Sequence, residues 1–193
     1  MSLENIIVVE KDWSLSTADI ERKAKELGYQ ISIADCDLKT HSGFLPVRHE
    51  DIDTGFEYYF LARGSDDLTS LDSHFANYSG CMTVTRGDFH EASVALIFLN
   101  SVADLTNGAY LCPNYDILKK PGEVRGYLDN EISACLSEWT KEEQRKSERE
   151  ARQERRRKER EDASRLIGED DKPELPDTDK SRGLFSRLFG RKK

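Results

Sequence analysis

No run of this chain is apolar for long enough to cross a bilayer. Beyond the short segment Ile6 to Val9, the longest unbroken apolar stretch is Val94 to Leu99, whereas a spanning helix needs about 20 such residues. The opening Met-Ser-Leu-Glu-Asn has neither a basic region nor an apolar segment of signal-peptide length. The expected location is therefore the cytoplasm, with peripheral contact at the inner face of the membrane as the variant. Cys36, Cys81, Cys112 and Cys135 never form a C-x-x-C pair, which excludes zinc-ribbon and thioredoxin-type motifs and predicts reduced thiols in or near a core. Phosphate-binding and hydrolytic signatures are missing too: there is no Walker A, no G-x-G-x-x-G, no H-E-x-x-H and no G-x-S-x-G. Nothing calls for a cofactor or a metal, and an enzyme reading rests on groups assembled only in three dimensions.

Charge is abundant and unevenly shared. Charged residues make up 34% of the chain against 37% apolar, a polarity that implies a part outside any core. Residues 1 to 140 hold 11 Lys/Arg against 23 Asp/Glu, a net −12, while residues 141 to 193 hold 18 against 14, a net +4. An acidic body repels phosphate and suits a basic protein partner, so a nucleic-acid partner is not expected.

Ile6 to Glu10 reads as a strand apolar on both faces. Ser16 with Asp19 opens a helix carrying Ile20, Ala24 and Leu27 on one stripe before Gly28, and Tyr29 to Ala34 returns as a strand. Asp35 to Thr54 loses periodicity and reads as the longest loop, with Phe44 to Val47 as a short strand inside it. Phe56 to Ala62 is a clear strand. A helix from Asp66 or Asp67 carries Leu68, Leu71, Phe75 and Tyr78 to Gly80, Cys81 to Thr85 follows as a strand, and Asp88 with Glu91 opens an apolar core helix that Asn107 and Gly108 stop. Ala109 to Cys112 is a strand and Pro113 to Gly122 a loop. The sum is an α+β fold, a mixed sheet with packed helices, in a domain of residues 1 to 140.

From about Glu123 a long helix begins, docking Leu128, Ile132, Cys135, Leu136 and Trp139 on the domain. Residues 141 to 161 then contain ten Lys/Arg, seven Glu and no hydrophobic residue but Ala151, so no coiled-coil seam exists and residues 141 to 167 read as an exposed charged helix. Its interleaved glutamates cancel most of its basic field. Pairs at i, i+4 such as Glu154 with Lys158 contribute about 0.2–0.5 kcal/mol each. Residues 168 to 181 read as a flexible acidic linker. The last segment, 182 to 193, is a basic amphipathic tail: Leu184, Phe185, Leu188 and Phe189 share an arc, flanked by Arg187, Arg191, Lys192 and Lys193. Its Leu-Phe-Gly-Arg-Lys-Lys ending resembles the docking peptides of many bacterial cytoplasmic proteins, which implies attachment to a partner or a membrane surface.

Carboxylates gather between the second strand and the aromatic one. Asp35, Asp37, Glu50, Asp51 and Asp53 are the candidate partner-binding residues, with His41 and His49 in the same stretch. The two histidines are eight apart with no metal-ligand spacing, and His74 and His90 fall on helix surfaces as ordinary polar residues. The blocks Gly43-Phe44-Leu45-Pro46-Val47, Asp53-Thr54-Gly55-Phe56-Glu57-Tyr58-Tyr59-Phe60 and Thr85-Arg86-Gly87-Asp88-Phe89-His90-Glu91 resemble a set of small bacterial proteins of unassigned function, a likeness that implies no catalytic residue. The expected function is a non-enzymatic protein-binding adaptor with a C-terminal docking tail. The alternatives are an immunity-type inhibitor of a basic toxin, and an unrecognised enzyme or metalloprotein using the 35 to 53 loop.

Overall fold

A computed structural model describes residues 3–168 of the chain, with side chains to residue 164. Linker residues 169 to 181 and the tail residues Leu184, Phe185, Arg187, Leu188, Phe189, Arg191, Lys192 and Lys193 lie outside that range. The fold is α+β. Seven strands form one sheet: β1 (Leu3–Val9), β2 (Ile31–Ile33), β3 (Ser42–His49), β4 (Ile52–Leu61), β5 (Ser79–Thr85), β6 (Ala109–Cys112) and β7 (Ile117–Lys119). They lie in the order β2-β3-β4-β5-β1-β6-β7, and every pairing among them is antiparallel. Among the described residues four α-helices accompany the sheet: α1 (Thr17–Glu26), α2 (Asp66–Leu71), α3 (Phe89–Thr106) and α4 (Val124–Gly168).

Local chemistry sets the helix ends. Ser16 and Asp19 form a reciprocal capping box at α1, whose hydrogen bonds from Ser16, reinforced by Arg22, hold the Asp19 carboxyl down to about 2. Asp88 caps α3 by accepting from the backbone N–H of His90 at 2.7 Å and of Glu91 at 3.3 Å. Asn107, in the left-handed region at φ 53°, closes the other end. The helix expected from Asp66 to Gly80 is interrupted: α2 ends at Leu71, Asp72 is extended, and a 3-10 turn covers Ser73–Asn77. The cause is Asp72 itself, whose side chain accepts from the His74 N–H at 2.9 Å and so competes with continued α-helix.

The expected loop between Asp35 and Thr54 is mostly a long hairpin. β3 alternates buried Leu45, Val47 and His49 with exposed Phe44, Pro46 and Arg48, and only a two-residue turn, Glu50 and Asp51, joins it to β4. Pro46 is tolerated because it need only accept: its carbonyl takes the Ala34 N–H at 3.0 Å. Phe44 lies over Gly55 on the neighbouring strand, where a Cβ would meet its ring at 2.5 Å.

The sheet separates two cores of unequal size. On one face Ile7, Val47, Phe56 and Tyr58 pack with Ile20 and Ala24 of α1, most of α3, and Val124, Leu128 and Ile132 of α4. On the other, Ile6, Val8 and Leu111 pack with Leu61 and with Leu68 of α2. A strand buried on both faces, Ile6 to Val9, is the physical reason for the unbroken apolar run in β1.

Two compact units divide between Arg145 and Lys146. The first contains the sheet and the docked part of α4, held also by the Asn100 side-chain N–H donating to Asp129 at 2.8 Å. In the second, the described side chains of 146 to 164 are all exposed, with ion pairs Glu154–Lys158 at 3.0 Å and Arg157–Glu161 at 3.6 Å along the helix. Among the described residues no helix is long and apolar enough to cross a membrane.

Candidate functional site

Two histidines 41 positions apart in the chain meet inside the first unit. His49 ends β3 and His90 stands in the first turn of α3. His49 Nδ1 lies 3.0 Å from His90 Nε2, and the residues are only 6% and 4% exposed. Trp139 of α4 stacks on the His90 ring at 4.3 Å between centroids and 24° between planes. The expectation that His90 is an ordinary surface residue is therefore corrected: the Asp88 cap starts α3 at His90, whose buried ring meets His49 at the end of β3 and is stacked on by Trp139. His49 likewise belongs to a strand, not a loop.

A hydrogen bond between two imidazole nitrogens requires one to carry a proton and the other to be bare. Burial disfavours the charged form, so both histidines titrate below the ordinary imidazole value. For His49 the neighbouring His90 adds to this and Glu50 opposes it; for His90 the opposing carboxylates are Asp88, Glu50 and Glu143. Desolvation outweighs the acidic surroundings, and the pair is neutral at neutral pH.

His49 opens onto a groove of about 790 Å³ whose walls include Tyr29, Gln30, Glu50, Asp51 and Trp139. Among the described residues, no lysine or arginine lines the groove. Glu50 reaches the rim from the left-handed region, at φ 55°, a conformation that costs a residue with a side chain about 1–2 kcal/mol relative to glycine. Tyr29 follows Gly28 after α1, and its hydroxyl, pushed up by burial and by Asp129, is an uncharged donor. The arrangement is a half-open slot with two aromatic rings, a buried neutral imidazole and two exposed carboxylates.

The other candidate residues are dispersed. Asp53 lies 3.8 Å from Arg48 across the hairpin. Asp37 is occupied locally, accepting from the Lys39 N–H at 3.0 Å and the Thr40 hydroxyl at 3.2 Å. Neither it, Asp35 nor Asp53 lines the groove that contains Glu50 and Asp51. His41 sits by the Phe44 carbonyl at 3.2 Å, and His74 pairs with Asp72 at 2.9 Å. Among the described residues no group of three or more His, Cys, Asp or Glu is arranged to hold a metal ion. Sequence reasoning flagged Glu50 and Asp51 through carboxylate density. It missed the histidine pair, for which no local spacing exists.

No family model matches this chain, and no curated protein or solved structure matches it either.

Proposed function

We propose that this chain is a non-enzymatic protein-binding adaptor whose folded body takes a basic segment of a partner protein into the groove between Tyr29 and Trp139. The C-terminal segment 182 to 193, by its cationic and amphipathic sequence, supplies a second contact at a partner or membrane surface. The observation that carries the reading is the groove's composition: the Tyr29 and Trp139 rings and the Glu50 and Asp51 carboxylates around one opening that, among the described residues, no cationic side chain lines. Lysine and arginine side chains are attracted to both kinds of group. An exposed cation–π contact contributes about 0.5–1 kcal/mol, and an exposed carboxylate pair about 0–1 kcal/mol. Several such contacts are needed together, which suits an extended basic segment better than a single small cation. Surplus acidity on the body speeds the encounter.

The test is charge reversal on the rim. The double variant Glu50→Lys/Asp51→Lys is expected to keep the fold, since both side chains are exposed, and to weaken capture of a basic partner by about 10–100-fold. A matched reversal at Asp12 and Glu131, exposed residues outside the groove, is expected to leave capture nearly intact. Affinity purification with quantitative mass spectrometry compares the three proteins. Partners retained by the rim variant, or lost equally from both variants, contradict the groove.

A further inference from the structure

His49 lines the groove and is hydrogen-bonded to the buried His90, so a positive charge on the pair is felt by anything bound in the groove. We propose that His49 and His90 form the proton switch of that groove: a proton taken up by the pair discharges a basic occupant. This rests on the groove reading given above and adds its regulation.

The geometry limits the pair to two useful states. At 3.0 Å between Nδ1 and Nε2 one hydrogen fits between the rings; the pair is neutral, or it shares one extra proton as a single cation. A second proton would oppose two N–H groups and is disfavoured. Charged and titratable groups face the pair from each surrounding element: Glu50 from the β3–β4 turn, Asp88 from the N-terminus of α3 and Glu143 from α4. The Asp88 carboxylate is already engaged by the backbone at the α3 cap. Trp139 covers His90 and keeps water from it. Of the pair, His49 lines the groove, so the charge of a shared proton appears at the groove's lining, beside the Glu50 carboxylate that a basic occupant would use.

The sign follows from like charges. A cationic occupant opposes protonation of the pair, and by linkage protonation weakens the occupant by the same factor. Both imidazoles are held below the ordinary value of about 6.5 by burial. The switch therefore acts at pH values below that ordinary one. The neutral pair's contribution to stability is complete above about 6.5 and declines as pH falls through the folded-state value.

The experiment uses the full chain and a fluorescein-labelled tetra-arginine peptide, with binding followed by fluorescence anisotropy at about pH 7.5 and about pH 5.5. Binding is expected to be measurably weaker at the lower pH, by less than about tenfold because a pair held below 6.5 is only partly protonated there. His49→Gln/His90→Gln, which cannot take up this proton, is expected to lose that dependence. Should that variant fail to fold, the native protein still answers: the ring Cε1–H resonances of His49 and His90 are expected to titrate at lower pH when the peptide is present. Native binding that is equal at the two pH values, with ring titrations unmoved by peptide, overturns the switch and leaves the groove standing. Absence of binding at pH 7.5, or binding insensitive to Glu50→Lys/Asp51→Lys, overturns the groove reading and the switch with it.

Discussion

Truncating Phe98 to alanine is expected to cost about 4 kcal/mol of folding stability and to lower Tm by about 10 °C. Phe98 is fully buried on α3 and sets its ring edge against two aromatics of β4, Phe56 at 5.3 Å and Tyr58 at 5.6 Å between centroids. Those edge contacts add to the burial of the ring itself. The neighbours have little room to collapse into the vacated space. Ile97, Leu99 and Val102 are held by the helix, and Tyr58 is tied down by its hydroxyl, which donates to the Leu38 carbonyl at 2.8 Å. The loss therefore includes a cavity term as well as the lost transfer energy. Thermal unfolding followed by circular dichroism gives the answer; a shift of only a degree or two would mean that α3 does not pack on the sheet as described.

Gly80→Ala is the second large effect, and it comes from too much matter instead of too little. Gly80 lies in β5 between two partners, opposite Val8 of β1 and Leu61 of β4. A Cβ built there overlaps the backbone carbonyl oxygen of Ile7. Backbone cannot swing aside as a side chain can, so the central strands must separate locally. The expected cost is about 2–3 kcal/mol. A chemical readout accompanies it, because the adjacent Cys81 thiol is fully buried and burial pushes it up to about 12. Loosening this part of the sheet is expected to speed its reaction with a thiol reagent. An unchanged denaturation midpoint and an unreactive Cys81 would contradict the β1–β5 register.

The elements that announce their own ends are the ones legible before any coordinates. Ser16 with Asp19, and Asp88 followed by the apolar residues of α3, carry start signals within four positions, and Asn107 carries the stop. The change in α4 from Leu128, Ile132 and Trp139 to unbroken charge marks where docking ends. The hairpin was obscured by its chemistry. Its turn is Glu50-Asp51 in place of the Asn-Gly or Asp-Gly that usually signals a two-residue reversal, and Pro46 stands inside β3, where a strand reading is normally demoted. β7 was lost inside a stretch that begins with Pro113 and ends near Pro121 and Gly122. Sheet order could not be read because it depends on which strands meet at long range.

The groove was half legible for the same reason. Glu50 and Asp51 stand in a conspicuous cluster of carboxylates, and Trp139 continues the docked stripe of α4. Their convergence with Tyr29 depends on the ends of α1 and β3 coming to the stretch of α4 that carries Leu136, Trp139 and Thr140. The His49–His90 contact is a product of β3 and α3 lying together in three dimensions. Asp35, Asp37 and Asp53, equally prominent by composition, line no part of the groove; Asp37 is engaged within its own turn and Asp53 pairs with Arg48.

The central claim is that the opening beside Trp139 receives a basic stretch of another protein. Its most direct test is a photo-crosslinking amino acid placed at Asp51 of the full chain, with the captured peptide sequenced by mass spectrometry. A second copy of the probe at Phe44, an exposed residue of β3 outside the groove, serves as the reference. Crosslinks are expected from position 51 to a segment rich in lysine and arginine, and few from position 44. Crosslinks from position 51 to an acidic or uncharged segment, or the same peptides captured from both positions, would contradict it.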